Sequence, residues 1–118
     1  ESDAPRNESM TRYIVVLTTT ADEAVAGRLA EQLVQRRLAA CVQIAGPIRS
    51  VYRWKDAVES AEEFQVSAKT REDLYTEIER AIGELNPYEV PEVMALPVVA
   101  GSRPYLEWLE QQLIPPSR

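Results

Sequence analysis

The sequence predicts an α+β fold, the ferredoxin-like βαββαβ sandwich with an added C-terminal helix, and three observations predict it. Apolar runs of strand length alternate with two amphipathic stretches of helical period in the order β-α-β-β-α-β. The second and third strands follow each other directly through Lys55-Asp56-Ala57, so the middle of the chain is a hairpin. Its return arm runs to Lys69, longer than a domain of 118 residues needs to cover its own core. An arm that overhangs must pack on something, and another copy of the chain is the expected partner.

Each element has its own signal. Tyr13 to Leu17, YIVVL, is β-branched and aromatic and reads as the first strand, ended by the threonines behind it. Thr20 stands three residues before Glu23, a capping-box spacing that satisfies free amide donors at a helix start. Ala26, Leu29, Ala30, Leu33 and Val34 then share one helical stripe, with Arg36 and Arg37 in the last turn, where cations suit the helix dipole. Gly27 costs that helix about 1 kcal/mol relative to alanine, which implies close packing there.

LAACVQI, residues 38–44, reads as the second strand, interrupted by Gly46-Pro47. Beyond it Ile48, Ser50, Tyr52 and Trp54 alternate with Arg49, Val51 and Arg53, and the return arm from Val58 to Lys69 alternates at Phe64, Val66 and Ala68. Thr70 with Asp73 marks a second helix start, carrying Leu74, Ile78, Ala81, Ile82 and Leu85 and stopped by Pro87. Glu92 to Val99 is the fourth strand. Gly101-Ser102 leads into a short helix with Leu106, Leu109 and Leu113, ended by Pro115-Pro116. Both long helices then lie on one face of the sheet, and the other face, with Val51, Arg53, Gln65 and Ser67 on it, lacks a cover.

Residues 1–12 are polar and patternless and read as a disordered extension or an appended remnant, with Met10 as a natural start; residues 13–118 form the single domain. The 19 acidic residues outnumber the 13 basic ones for a net charge of −6, which argues against nucleic acid as a partner. No apolar run approaches the roughly 20 residues that span a bilayer. With one cysteine the chain makes no intrachain disulfide, and a cytoplasmic location is the expectation.

The chemistry available is narrow. There is no histidine, so Ser-His and Cys-His nucleophile systems are excluded. Glu62 with Glu63 and Glu89 with Glu92 are paired carboxylates of a kind common on solvated surfaces, and no glycine-rich phosphate loop exists, so no enzyme activity is expected. Soft metal ligands are limited to Cys41, Met10 and Met94, too few for a Cys/His site in one subunit. Cys41 reads as a small buried hydrophobe, with copper held between symmetry-related thiols as the alternative. More promising are Tyr52, Trp54, Glu63 and Lys69 on the hairpin, with Tyr88 and Glu89 on the loop that Pro87 and Pro91 stiffen. They form either an interface or a polar cleft between subunits that takes a small ligand.

A scattered set of residues resembles the CutA family, named for divalent-cation tolerance: Leu38-Ala39-Ala40-Cys41, Ser50 with Tyr52 and Trp54, Glu63, Lys69-Thr70, Pro87 to Glu92, Leu96-Pro97, and Gly101 with Tyr105, Leu106 and Trp108. The resemblance implies a tight homotrimer whose hairpins augment neighbouring sheets. It also implies a role in tolerance to copper and other divalent ions, the only cofactor candidates, with no assigned reaction. The architecture is similar to the PII-type signalling trimers, which implies an alternative: a regulator that takes a small anion between subunits, with Lys69 as the charge partner. A trimer with no ligand of its own is the third reading. Relatives often carry histidine where this chain has Asn86, some at Leu85, and some a cysteine at Thr18. Asp56 stands where a turn glycine is usual, and aspartate tolerates the left-handed conformation.

Overall fold

A computed structural model describes residues 11–116. Its elements are β1 (Tyr13–Thr20), α1 (Glu23–Gln35), β2 (Cys41–Trp54), β3 (Ala57–Arg71), α2 (Tyr75–Leu85), β4 (Met94–Pro97) and α3 (Arg103–Gln112), with a 3-10 turn at Glu72–Leu74. One antiparallel sheet has the order β2-β3-β1-β4. The crossovers through α1 and α2 each skip a strand, which is the expected ferredoxin-like topology.

The alternation of β1 decides the layers. Val16, Thr18 and Thr20 are buried and pair with Ala68, Val66 and Phe64 of β3. Ala26, Leu29 and Leu33 of α1 and Ile78, Ala81 and Ile82 of α2 complete that core. The threonines extend β1 because their branched side chains suit a strand. Thr18 enters the core at a cost: its Oγ1 is buried with no hydrogen-bond partner among the described residues. Thr18→Val is therefore expected to stabilise the fold by about 1 kcal/mol, read as a higher denaturant midpoint at unchanged slope.

Several boundaries differ from the sequence reading, each for a local reason. The α1 cap is Asp22, whose carboxylate accepts from the Val25 amide at 2.8 Å, while the Thr20 hydroxyl turns to the Asp22 carbonyl. Asp22 caps as well as threonine and adds a charge that suits the helix N-terminus. Arg36 and Arg37 lie past the helix. Arg37 is left-handed at φ 60° and donates to the carbonyls of Gln111 and Gln112, capping α3 instead of α1. No atom lies within 4 Å of a Cβ built at Gly27, so close packing does not explain that glycine.

Leu38, Ala39 and Ala40 are buried linker, and β2 starts at Cys41. The Thr70 hydroxyl donates to the Leu38 carbonyl at 2.6 Å, fastening this linker rather than capping a helix; β3 continues to Arg71. β4 is shorter than the sequence suggests, only Met94–Pro97.

Gly46-Pro47, joined by a cis peptide, does not end β2 but forms a bulge in it. Ala45 pairs with Gln65 and Ile48 with Glu63, so one extra residue sits on β2 and its alternation changes face. After the bulge Ile48, Ser50, Tyr52 and Trp54 share the face of Glu63, Ala61 and Glu59. Val51 and Arg53 therefore point with Ser60 and Val58, on the opposite face from Gln65 and Ser67, and the surface expected of those four does not form. The hairpin closes through Lys55 and Asp56, both left-handed at φ 50° and 68°, the geometry that matches strand twist.

Nor is the second face of the sheet wholly bare. Tyr13, Lys69 and Arg71 project from it, and α3 covers them: Tyr13 Oη donates to Glu110 Oε1 at 2.8 Å, and Lys69 Nζ lies 5.6 Å from the Tyr105 ring centroid. Arg71, only 1% exposed, donates Nη1 to Glu110 Oε2 at 2.9 Å, Nη2 to the Ile114 carbonyl at 2.8 Å and its Nε to Asp73. One buried guanidinium thus clasps α3, the chain beyond it and the start of the 3-10 turn. Toward the hairpin the same face is open.

Candidate functional site

The open end of that face holds a cleft of 490 Å³. One wall is the hairpin, with Ser50, Tyr52, Trp54, Glu59 and Glu63; the other is the loop after α2, with Tyr88, Glu89, Val90 and Glu92; Thr19 of β1 lies at the base. The two walls come together through a short chain of hydrogen bonds. Asn86 ends α2, 5% exposed, and its Nδ2 donates to the Thr19 carbonyl at 2.8 Å. Its Oδ1 accepts from the Tyr88 amide at 3.0 Å, an Asx turn that fixes where the loop leaves the helix. Pro87 and Pro91 restrict the rest. Tyr88 then reaches across to donate its hydroxyl to Glu63 Oε2 at 2.7 Å. Burial, the bond to Glu63 and that carboxylate's charge raise the Tyr88 phenol well above its ordinary pKa, so it remains a donor throughout the physiological range.

Asn86 is thus a pin, a role that nothing in the sequence reading assigned to it. Asn86→Ala leaves the Thr19 carbonyl and the Tyr88 amide without their partner and is expected to cost about 2 kcal/mol. Amide exchange should rise in residues 87–92 more than in the helices; equal protection there would show that the prolines alone hold the loop.

Of the six site residues proposed from sequence, Tyr52, Trp54, Glu63, Tyr88 and Glu89 line the cleft and Lys69 does not. Lys69 lies six residues further along β3 than Glu63, about 20 Å at strand rise, beside Tyr105. Sequence reasoning missed Glu59, Glu92, Ser50 and Thr19. Glu59 was within reach, because a two-residue turn at Lys55-Asp56 pairs Trp54 with Ala57 and hence Tyr52 with Glu59.

Four carboxylates and three aromatic rings line the cleft, with no lysine or arginine among them. Its chemistry favours a positively charged occupant. Cys41 is elsewhere, paired with Lys69 and partly exposed rather than buried. Among the described residues it joins no group of three or more His, Cys, Asp and Glu side chains able to hold a metal. Thr18 and Asn86 are buried, and Leu85 packs partly buried against the core. No helix among the described residues is long and apolar enough to cross a membrane. A second cleft, of 530 Å³, lies under α3, where its carboxylate Glu110 is already engaged by Arg71 and Tyr13.

Residues 14–112 match the model of the CutA1 divalent ion tolerance protein family. Over 97 residues the chain is 41% identical to the divalent-cation tolerance protein CutA of Thermus thermophilus, covering 82% of this chain and 94% of that protein. It is 42% identical to the chloroplastic protein CutA of Arabidopsis thaliana over 82% of this chain, but spans only 53% of that relative's length. The crystal structure of CutA1 from Oryza sativa superposes with a TM-score of 0.85 at 37% identity, covering 90% of this chain and 97% of that one.

Proposed function

This chain belongs to the CutA1 divalent ion tolerance family, and from that premise we propose that it acts as a non-enzymatic, cytoplasmic homotrimer in the tolerance of divalent cations, copper among them. The observation that carries the assembly is the hairpin. From Ile48↔Glu63 to Trp54↔Ala57, about 20 Å, β2 and β3 pair only with each other among the described residues, so both outer edges offer backbone groups to a neighbour. Val51 and Val58 on this arm are 63% and 66% exposed, and Met94 and Leu96 are half-exposed on β4. An exposed, two-edged ribbon with Val51 and Val58 on one face is suited to adding a strand to a neighbour's sheet, and threefold closure satisfies every copy alike.

Light scattering at micromolar concentration should return the mass of three chains; a monomer mass would end this reading. Copper is the finer question. If symmetry-related Cys41 thiols hold it, Cys41→Ala abolishes copper binding while the trimer persists. Equal weak binding by both forms would remove Cys41 as a ligand and leave copper tolerance indirect.

A second reading, a regulator that takes a small ligand, is favoured by the cleft itself. An anionic ligand with Lys69 as its partner would need a site built between subunits, because within one chain Lys69 stands about 20 Å from Glu63 along β3.

A further inference from the structure

The state of Glu63 raises the question. It is 8% exposed, its Oε2 is occupied by Tyr88, and its Oε1 accepts no hydrogen bond among the described residues. The ion pairs of those residues do not include it, so a carboxylate more than nine-tenths buried faces the cleft without a countercharge. Its free Oε1 keeps access to the cleft space, so a cation entering there can pair with it directly. Glu59, Glu89 and Glu92 add negative charge around the same space, and no lysine or arginine is among its lining residues.

Two features distinguish an organic cation from a bare metal ion. The carboxylates are dispersed around 490 Å³, and no three of them converge in a metal-holding group among the described residues. Metal coordination needs that convergence. The wall between them is aromatic and apolar, built of Tyr52, Trp54 and Val90, which suits methylene groups and the face of an ammonium. Trp54 already seats one such group, the Lys55 ammonium at 5.6 Å from its ring centroid.

We propose that this cleft binds a small organic ammonium ion, with Glu63 as the buried counter-charge and Tyr52 and Trp54 as the wall for its alkyl part. The proposal rests on the reading of the cleft as a ligand site and goes further in naming the ligand's class. It requires that no second copy fills the cleft with a cation of its own.

The test is calorimetric titration of the full chain with putrescine, with neutral 1,4-butanediol as isostere and magnesium chloride at matched ionic strength as a charge control. Putrescine should bind saturably, butanediol should give no heat, and magnesium should not displace the amine. Glu63→Gln should weaken putrescine at least tenfold, on the order expected for a buried charged hydrogen bond, with the assembly mass unchanged. Trp54→Leu should weaken it by roughly fivefold. Absence of saturable putrescine heat, or equal displacement by magnesium, would overturn the proposal. So would dissociation of the assembly by Glu63→Gln, which would identify the missing cation as a side chain of a second copy. A trimer that ignores putrescine defeats this inference alone; a monomer that binds it defeats only the assembly.

Discussion

Arg71→Ala is expected to destabilise the fold by about 3–4 kcal/mol, the range for removing one member of a buried charge cluster. The guanidinium is 1% exposed and serves Asp73, Glu110 and the Ile114 carbonyl at once. Its loss leaves two carboxylates facing each other and a cavity under α3. At fixed protomer concentration the melting temperature should fall by roughly 15–20 °C. Arg71→Lys keeps the charge but not the fork, and should recover only part of the loss.

The same clasp sets a pH dependence. The hydrogen bond from Arg71 holds the Asp73 carboxyl below its ordinary value. Burial would raise Glu110, but the hydrogen bond from Tyr13 and the charges of Arg71 and Arg12 outweigh it and bring Glu110 below the usual range. Both groups bind protons more weakly folded than unfolded. Their contribution is therefore complete above the unfolded carboxylate value of about 4 and is lost as pH falls through the lower folded values. Denaturant midpoints measured from pH 7 to pH 2 should fall less steeply for Arg71→Ala than for the wild type. Parallel curves would show that the clasp is not what titrates.

Gly46→Ala carries the second large effect, about 2–3 kcal/mol. Its φ is +158°, and a Cβ there would meet Phe64 Cδ2 at 2.7 Å, the Glu63 carbonyl at 3.0 Å and Phe64 Cα at 3.1 Å. β3 cannot retreat, because on its far side Phe64 pairs with Thr20 of β1. The collision falls on Phe64 and on the backbone of its neighbour Glu63, which anchors the cleft, so amide protection at Tyr88 should drop along with stability. Gly83→Ala is the control. Nothing lies within 4 Å of its Cβ on α2, and it should gain up to about 1 kcal/mol. If both alanines behave alike, the bulge geometry is not what requires glycine.

What was legible in the sequence followed from period and punctuation. The two-residue alternation through Val58–Lys69 and the helical stripe Ile78, Ala81, Ile82 placed sheet and core correctly, because burial on one face imposes those periods. Caps were less legible. Thr20 and Asp22 are both competent, and only the backbone decides which one faces the free amides. The bulge was invisible for a stronger reason: Gly46-Pro47 reads equally as a break or as an added residue, and only the cross-strand partner distinguishes them. That single residue moves Tyr52 and Trp54 to the face of Glu63. Lys69 was misplaced because sharing a strand does not mean sharing a site; six residues of β3 separate it from Glu63. Asn86 was undervalued because its partner Thr19 is 67 residues away in the chain.

The claim that the Glu63–Tyr88 cleft receives an organic cation can be read at its own wall. The chain has two tryptophans, Trp54 in the cleft and Trp108 on α3, where its ring lies tilted against Tyr105 with centroids 5.6 Å apart. Their indole N–H resonances are followed in a proton–nitrogen correlation spectrum during putrescine addition. The account predicts a saturable shift of the Trp54 signal with Trp108 unmoved. Equal drift of both signals, or no movement of Trp54, would contradict it.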